Sequence, residues 1–173
     1  MSGSAPQRSC WTRLDTPIGM LAIVARGDAI VSVRARGQRH APAWPLDPET
    51  PDDALLARAS AQLRQYFAGE RASFELPLAP VGTPFQQAVW RALQTIETGS
   101  TCSYADLART LGRASAVRAV AAAIGRNPCL VLVPCHRVVG SGGALTGFAA
   151  GLPAKRWLLA REGARGAVLD SDG

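Results

Sequence analysis

The chain has 173 residues, 47% hydrophobic and 18% charged, which suits one folded domain or two small ones with a real core. No apolar stretch is long enough to cross a bilayer, and Met1-Ser2-Gly3-Ser4-Ala5-Pro6-Gln7 lacks the charged start and apolar centre of a secretion signal, so a cytoplasmic protein is expected. The net charge of +6, carried mostly by arginine, fits a phosphate-bearing partner and fits equally a plain basic surface.

The N-terminal part reads as β structure. Trp11 to Leu14, Met20 to Ala25 and Ile30 to Val33 are short runs rich in branched residues, separated by the turn formers Thr16-Pro17-Ile18-Gly19 and Gly27-Asp28. Arg36 to Pro51 is polar, with several prolines, and reads as a loop. Asp52 to Phe67 carries Leu55, Ala59, Leu63 and Phe67 at four-residue spacing, which predicts an amphipathic helix closed by Gly69. Ala79-Pro80-Val81-Gly82 reads as a linker between a part spanning 1–80 and a part spanning 81–173.

The second part reads as helical. Thr83-Pro84-Phe85-Gln86 combines an N-cap, a proline at the first helical position and a capping-box glutamine. Phe85, Val89, Leu93 and Ile96 form the buried stripe of a helix that Gly99 is expected to end. Ser103-Tyr104-Ala105-Asp106 opens a short helix that stops at Gly112, and Ser115 is expected to cap another through Val117, Val120 and Ile124. Two short helices about a glycine-containing turn outline a helix-turn-helix. Leu152-Pro153 opens a last helix reaching Glu162 and stopped by Gly163, beyond which the terminus is expected to fray. The fold expected is a small antiparallel sheet with a helix, followed by a mainly helical domain holding the helix-turn-helix.

Several residues could carry chemistry. The four cysteines, Cys10, Cys102, Cys129 and Cys135, form no C-x-x-C pair or zinc spacing, and His40 lies far from His136, so no metal site is expected. The apolar run Leu130-Val131-Leu132-Val133 reads as a buried strand or core segment that must break at Pro134. The break sets Cys135 and His136 side by side, and a neighbouring imidazole can activate a thiol. A buried structural cysteine beside a solvated histidine fits the pair as well. Arg118 is the one long cation among Ala119, Ala121, Ala122 and Ala123. It could enter a base stack, or point to water from a tight core helix. Glu162 opposes the dipole at its helix end, and either Arg161 and Arg165 satisfy it or it orients a histidine.

These pieces together resemble a known family. Val133-Pro134-Cys135-His136-Arg137-Val138-Val139 is similar to the active-site signature of the O6-alkylguanine-DNA alkyltransferases. Thr83-Pro84-Phe85-Gln86, Ser103-Tyr104-Ala105-Asp106-Leu107-Ala108, Ala116-Val117-Arg118-Ala119-Val120, Asn127-Pro128 and Lys155-Arg156-Trp157-Leu158-Leu159 follow the family's order. Thr16-Pro17-Ile18-Gly19 and Tyr66-Phe67-Ala68-Gly69 extend the resemblance more loosely into the N-terminal part.

The resemblance implies a DNA-repair protein that moves the alkyl group of O6-alkylguanine, with O4-alkylthymine left open, irreversibly onto Cys135. His136 would take the thiol proton through a water and Glu162 would hold the imidazolium, making the thiolate available near neutral pH. Tyr104 would donate to the departing base and Asn127 would tie the turn of Cys135 to the helix-turn-helix. Arg118 would fill the gap left by a flipped nucleotide. Ser103, Tyr104, Ala119, Ala122 and Arg137 complete the implied DNA-binding set. Val138, Phe148, Ala149 and Ala150 form the implied pocket, in which many relatives have Tyr at Phe148 and Gly at Ala150. The implied partner is double-stranded DNA met by a monomer, with no cofactor. A non-catalytic DNA binder and a helix-turn-helix regulator are the rival readings. The first should lack Cys135, and the second leaves Asn127, Tyr104 and the Phe148 loop unexplained.

Overall fold

In the computed structural model, which describes residues 7–164, the three branched runs form a meander. Strands β1 (Ser9–Thr16), β2 (Gly19–Arg26) and β3 (Ala29–Ala35) pair antiparallel in the order β1-β2-β3. Helix α1 (Ala54–Ala68) packs across them. Asp53 caps it, accepting from the Leu56 amide at 3.0 Å, and Gly69 closes it in the left-handed conformation at φ 90°. Its buried face is Leu56, Ala59, Leu63 and Tyr66, not the expected Leu55, Ala59, Leu63 and Phe67. The i, i+3, i+7, i+10 row follows a 3.6-residue helix more closely than strict fours, so Leu55 and Phe67 end up half-buried.

The free edge of β3 positions everything that follows. Ile30 pairs with Leu78, its amide donating to the Pro77 carbonyl at 2.8 Å. Val33 pairs with Cys129, its amide donating to the Pro128 carbonyl at 2.9 Å while the Leu130 amide returns a bond to Val33 at 2.8 Å. The sheet edge therefore holds the segment leading to Cys135, and the edge groups lose their exposure.

Thr83 and Gln86 form the reciprocal capping box of α2 (Pro84–Leu93). That helix ends earlier than expected. The Thr95 and Ile96 amides bond only three residues back, to Ala92 and Leu93, so the chain tightens into turns after Leu93 and Gly99 shapes the later bend at φ 83°. Strand β4 (Cys102–Ser103) pairs parallel with β5 (Val138–Val139). Helices α3 (Tyr104–Thr110) and α4 (Val117–Gly125) follow, separated by a turn with Gly112 at φ 67°. Ser103 caps α3 through the Asp106 amide. Ser115 caps nothing: Ala116 holds the N-cap position of α4 and no side chain closes it, because the helix starts one residue too late for Ser115. Helix α5 (Leu152–Arg161) ends on Glu162, and Gly163 turns the chain at φ 64°. The expected fraying and Arg165 lie outside the described residues.

The run Leu130 to Val133 is buried but is a turn rather than a strand. The Val133 amide bonds the Cys129 carbonyl at 2.9 Å and the Cys135 amide bonds the Val133 carbonyl at 2.8 Å. Val131 sits at φ 70°, a conformation costing a β-branched residue about 1–3 kcal/mol. One buried cluster absorbs that cost, joining Leu21, Ile23 and Val33 of the sheet to Leu63, Trp90, Val120, Val133 and Leu158. Among the described residues no helix is long and apolar enough to cross a membrane.

Candidate active site

Cys135 opens a single 3-10 turn, Cys135–Arg137, and is 4% exposed. Asn127, itself buried, shapes the approach to that turn. Its Nδ2 donates to the Val133 carbonyl at 2.8 Å and its Oδ1 accepts from the Cys129 amide at 2.9 Å, so one amide satisfies backbone groups at both ends of the 129–133 segment that leads to Cys135. Burial pushes the Cys135 thiol up to about 11, against the pull of Asn127 and the Lys155 charge. The expectation of a ready thiolate near neutral pH is thereby corrected. At rest Cys135 is a thiol, because desolvating a thiolate costs more than its few donors return. Burial also pushes Cys129 up to about 12, and all four cysteines are free.

A buried imidazole follows Cys135 in the same turn. His136 is fully buried, and its Nε2 lies 2.8 Å from Oε1 of Glu162, whose side chain is 1% exposed. Burial would raise the Glu162 carboxyl, but hydrogen bonds from His136, Arg137 and Tyr66 outweigh it and hold the group down at about 2. An ionised carboxylate only accepts, so His136 carries its proton on Nε2 and presents its lone pair at Nδ1. Nδ1 has no protein partner among the described residues. Burial, only partly offset by Glu162, lowers the His136 pKa, so the imidazole is neutral at rest and able to take a proton.

Arg137 does not belong to a DNA-binding set. Its Nε and Nη2 form a fork on Glu162, each bond 2.9 Å, while Nη1 donates to the Ile96 carbonyl at 2.6 Å and Nη2 to Thr98 Oγ1 at 3.0 Å. Four of its five N–H donors are used inside the protein, and its side chain is 8% exposed. Nor does Arg161 satisfy Glu162, since it donates instead to the Tyr66 carbonyl at 3.0 Å.

A cavity of about 410 Å³ opens above Cys135, lined also by Tyr104, Asn127, Phe148 and Ala149. Helix α4 supplies Ala121, Ile124 and Gly125 to its wall while Arg118, Ala119 and Ala122 face outward, exposed. Val138 and Ala150 do not line it. Val138 is fully buried in β5, and Ala150 packs against the core. Ser103 serves as the cap of α3. The Tyr104 hydroxyl lies 3.3 Å from the Thr146 carbonyl. A larger cleft, about 630 Å³, lies behind the turn among Phe74, Trp90, Glu97 and Pro134, but its one residue from the Cys-His-Arg turn is the already committed Arg137.

Four residues around the site were given no role there by the sequence. Lys155 is 1% exposed and spans the pocket loop, donating to the Thr146 and Gly147 carbonyls at 2.9 and 3.3 Å, with burial lowering its pKa to about 8. Its signals were its place in the Lys155-Arg156-Trp157-Leu158-Leu159 motif and its position four residues before buried Leu159. Tyr66 sends its hydroxyl to Glu162 across 96 positions. Arg39 and His40 reach the cavity from the polar loop after β3, anchored by a bond from the Arg39 amide to the Ala149 carbonyl at 3.1 Å. Nothing local in the sequence foretells either of these two connections.

Comparison with known proteins agrees with this architecture. Residues 10–80 match the family model of the 6-O-methylguanine DNA methyltransferase ribonuclease-like domain, and residues 84–164 that of the same family's DNA binding domain. The methylated-DNA–protein-cysteine methyltransferase of Mycobacterium tuberculosis is 43% identical over 155 residues, 88% of this chain and 91% of that protein. The constitutive enzyme of that name from Bacillus subtilis is 45% identical over 142 residues, 80% of this chain and 86% of its own. A crystal structure of the M. tuberculosis O6-methylguanine methyltransferase superposes with a TM-score of 0.79 at 40% identity, covering 93% of this chain and 96% of that one. A structure of the M. tuberculosis protein in complex with DNA matches with the same TM-score. With family matches over both halves, and a cavity-lining thiol followed in the same turn by a buried imidazole that a carboxylate holds, the chain belongs to the methylated-DNA–protein-cysteine methyltransferase family.

Proposed function

We propose that this protein repairs O6-alkylguanine in duplex DNA by moving the alkyl group onto Cys135, each molecule acting once and as a monomer. The observation that carries the reading is Cys135 on a cavity wall, next in the chain to a neutral His136 whose Nδ1 has no partner among the described residues and whose Nε2 is held by Glu162. A cavity of about 410 Å³ lies in the range of ligand pockets. In the reaction, Sγ forms a bond to the alkyl carbon as the carbon–O6 bond breaks, and its electron pair passes to the guanine. The thiol proton goes to His136 Nδ1 through a water, and the Tyr104 hydroxyl donates to the departing base.

A stacked guanine cannot bring O6 to a buried thiol, so the nucleotide must be flipped at a cost of about a few kcal/mol. The outward row Arg118, Ala119 and Ala122 fits this step. The alanines let the α4 backbone approach a groove closely, and Arg118 fills the emptied place in the stack. The division at 80/81 gives the helical part the DNA and the chemistry, and the N-terminal part the sheet edge that holds the Cys135 segment. The test is mass spectrometry after incubation with a duplex bearing one O6-methylguanine. The peptide containing Cys135 gains one methyl group, and Cys135→Ser does not. Unmodified protein that still binds the duplex would overturn the proposal.

A further inference from the structure

Glu162 Oε1 is an overcommitted acceptor. It receives Nε2 of His136 at 2.8 Å, Nη2 of Arg137 at 2.9 Å and, closest of all, the Tyr66 hydroxyl at 2.6 Å. Three donors on one oxygen compete for the same electron density, and a short O–H bond to an ionised acceptor is the strongest kind available here. Tyr66 stands on the last turn of α1, in the other half of the chain, and is 1% exposed. Its ring is wedged between Phe67 and Phe74, both at 5.4 Å, with the Arg161 guanidinium 6.0 Å above it. Burial and the Glu162 charge both push its ionisation far upward, so the hydroxyl always donates.

Every charged group around this pair can be named. Arg137 comes from the 3-10 turn, Arg161 and Lys155 from α5, and Glu70 and Arg71 border the small cleft shared by Tyr66 and Glu162. Arg71 is occupied by Gln65 and Ser73, and Arg161 by the Tyr66 carbonyl. Tyr66 is therefore the only neutral donor on the carboxylate among the described residues that comes from outside the helical half.

We propose that Tyr66 is a positioning residue for alkyl transfer: by drawing on Glu162 Oε1 it limits how far that carboxylate stabilises a His136 imidazolium, and so keeps His136 an unprotonated base for Cys135. This rests on the reading of Cys135 as acceptor and His136 as its base. Without the hydroxyl, Oε1 turns more fully to His136, the imidazolium gains stability, and His136 stays protonated to higher pH.

The chain has two histidines, and His40 is exposed, so ring-labelled histidine gives two readily assigned nuclear magnetic resonance titrations. Tyr66→Phe keeps the ring and is expected to raise the His136 midpoint by about half to one pH unit, leaving His40 in place. The acidic limb of the pH profile for alkyl transfer to Cys135 moves up by the same amount. Phe74→Leu loosens the same aromatic cluster without touching a hydrogen bond and should leave the His136 midpoint unmoved. A His136 midpoint unmoved or lowered in Tyr66→Phe overturns the proposal, as does an equal shift in Phe74→Leu. Failure of the unmodified protein to alkylate Cys135 at any pH overturns the acceptor reading, and with it the reaction that Tyr66 would serve.

Discussion

Replacing Glu162 with glutamine removes the charge around which the buried network is organised. In the folded protein its carboxyl sits at about 2 against an ordinary 4.5, and about 2.5 units at about 1.4 kcal/mol each correspond to roughly 3 kcal/mol. The side chain is 1% exposed, so solvent screening takes little away. An independent estimate agrees: removing one partner of a buried ion pair costs about 3–5 kcal/mol, because Arg137 keeps an uncompensated charge. The folded value lies below the unfolded one, so the stabilisation is complete above pH 4.5 and is lost as the pH falls toward 2. Lowering of the His136 pKa adds a separate loss below pH 6.5. Urea denaturation from pH 7 down to pH 3 separates the contributions. With a slope of about 2 kcal/mol/M, Glu162→Gln should lower the midpoint by roughly 1.5–2.5 M at pH 7. The gap between the two proteins should narrow below pH 4.5, since general acid repulsion is common to both. Equal midpoints at pH 7, or a gap that stays constant down to pH 3, would refute the ionised, paired carboxylate.

Two further outcomes follow from other parts of the molecule. Leu63→Ala, at a fully buried position of α1 facing the sheet, should cost about 2–5 kcal/mol through lost burial and a residual cavity. Calorimetry that finds a loss below about 1 kcal/mol would mean the helix repacks or is loosely seated. Arg118→Ala touches only an exposed face of α4, so thermal stability should not move. Alkyl transfer from duplex DNA should fall far more than transfer from the free base, and equal losses on both substrates would remove Arg118 from nucleotide flipping.

The sequence by itself determined the elements and their ends wherever the cause is local. The Thr83–Gln86 capping box, the Ser103 cap and the left-handed Gly69 depend on a few adjacent backbone groups, and each formed where the residues indicated. The three strands were equally legible, because branched residues between turn formers specify a meander without outside help. The apolar run before Pro134 was legible as core but not as a turn, since the choice was made by the β3 edge at Val33 and by the Asn127 amide, distant in sequence or acting through a side chain. Only the tertiary structure decided the electrostatics. Arg137 stood in the implied DNA-binding set until Glu162, Ile96 and Thr98 converged on it. Cys135 looked like a thiolate until its burial could be weighed. A side chain's charge state depends on what surrounds it in space, and a pattern of neighbours along the chain does not contain that information.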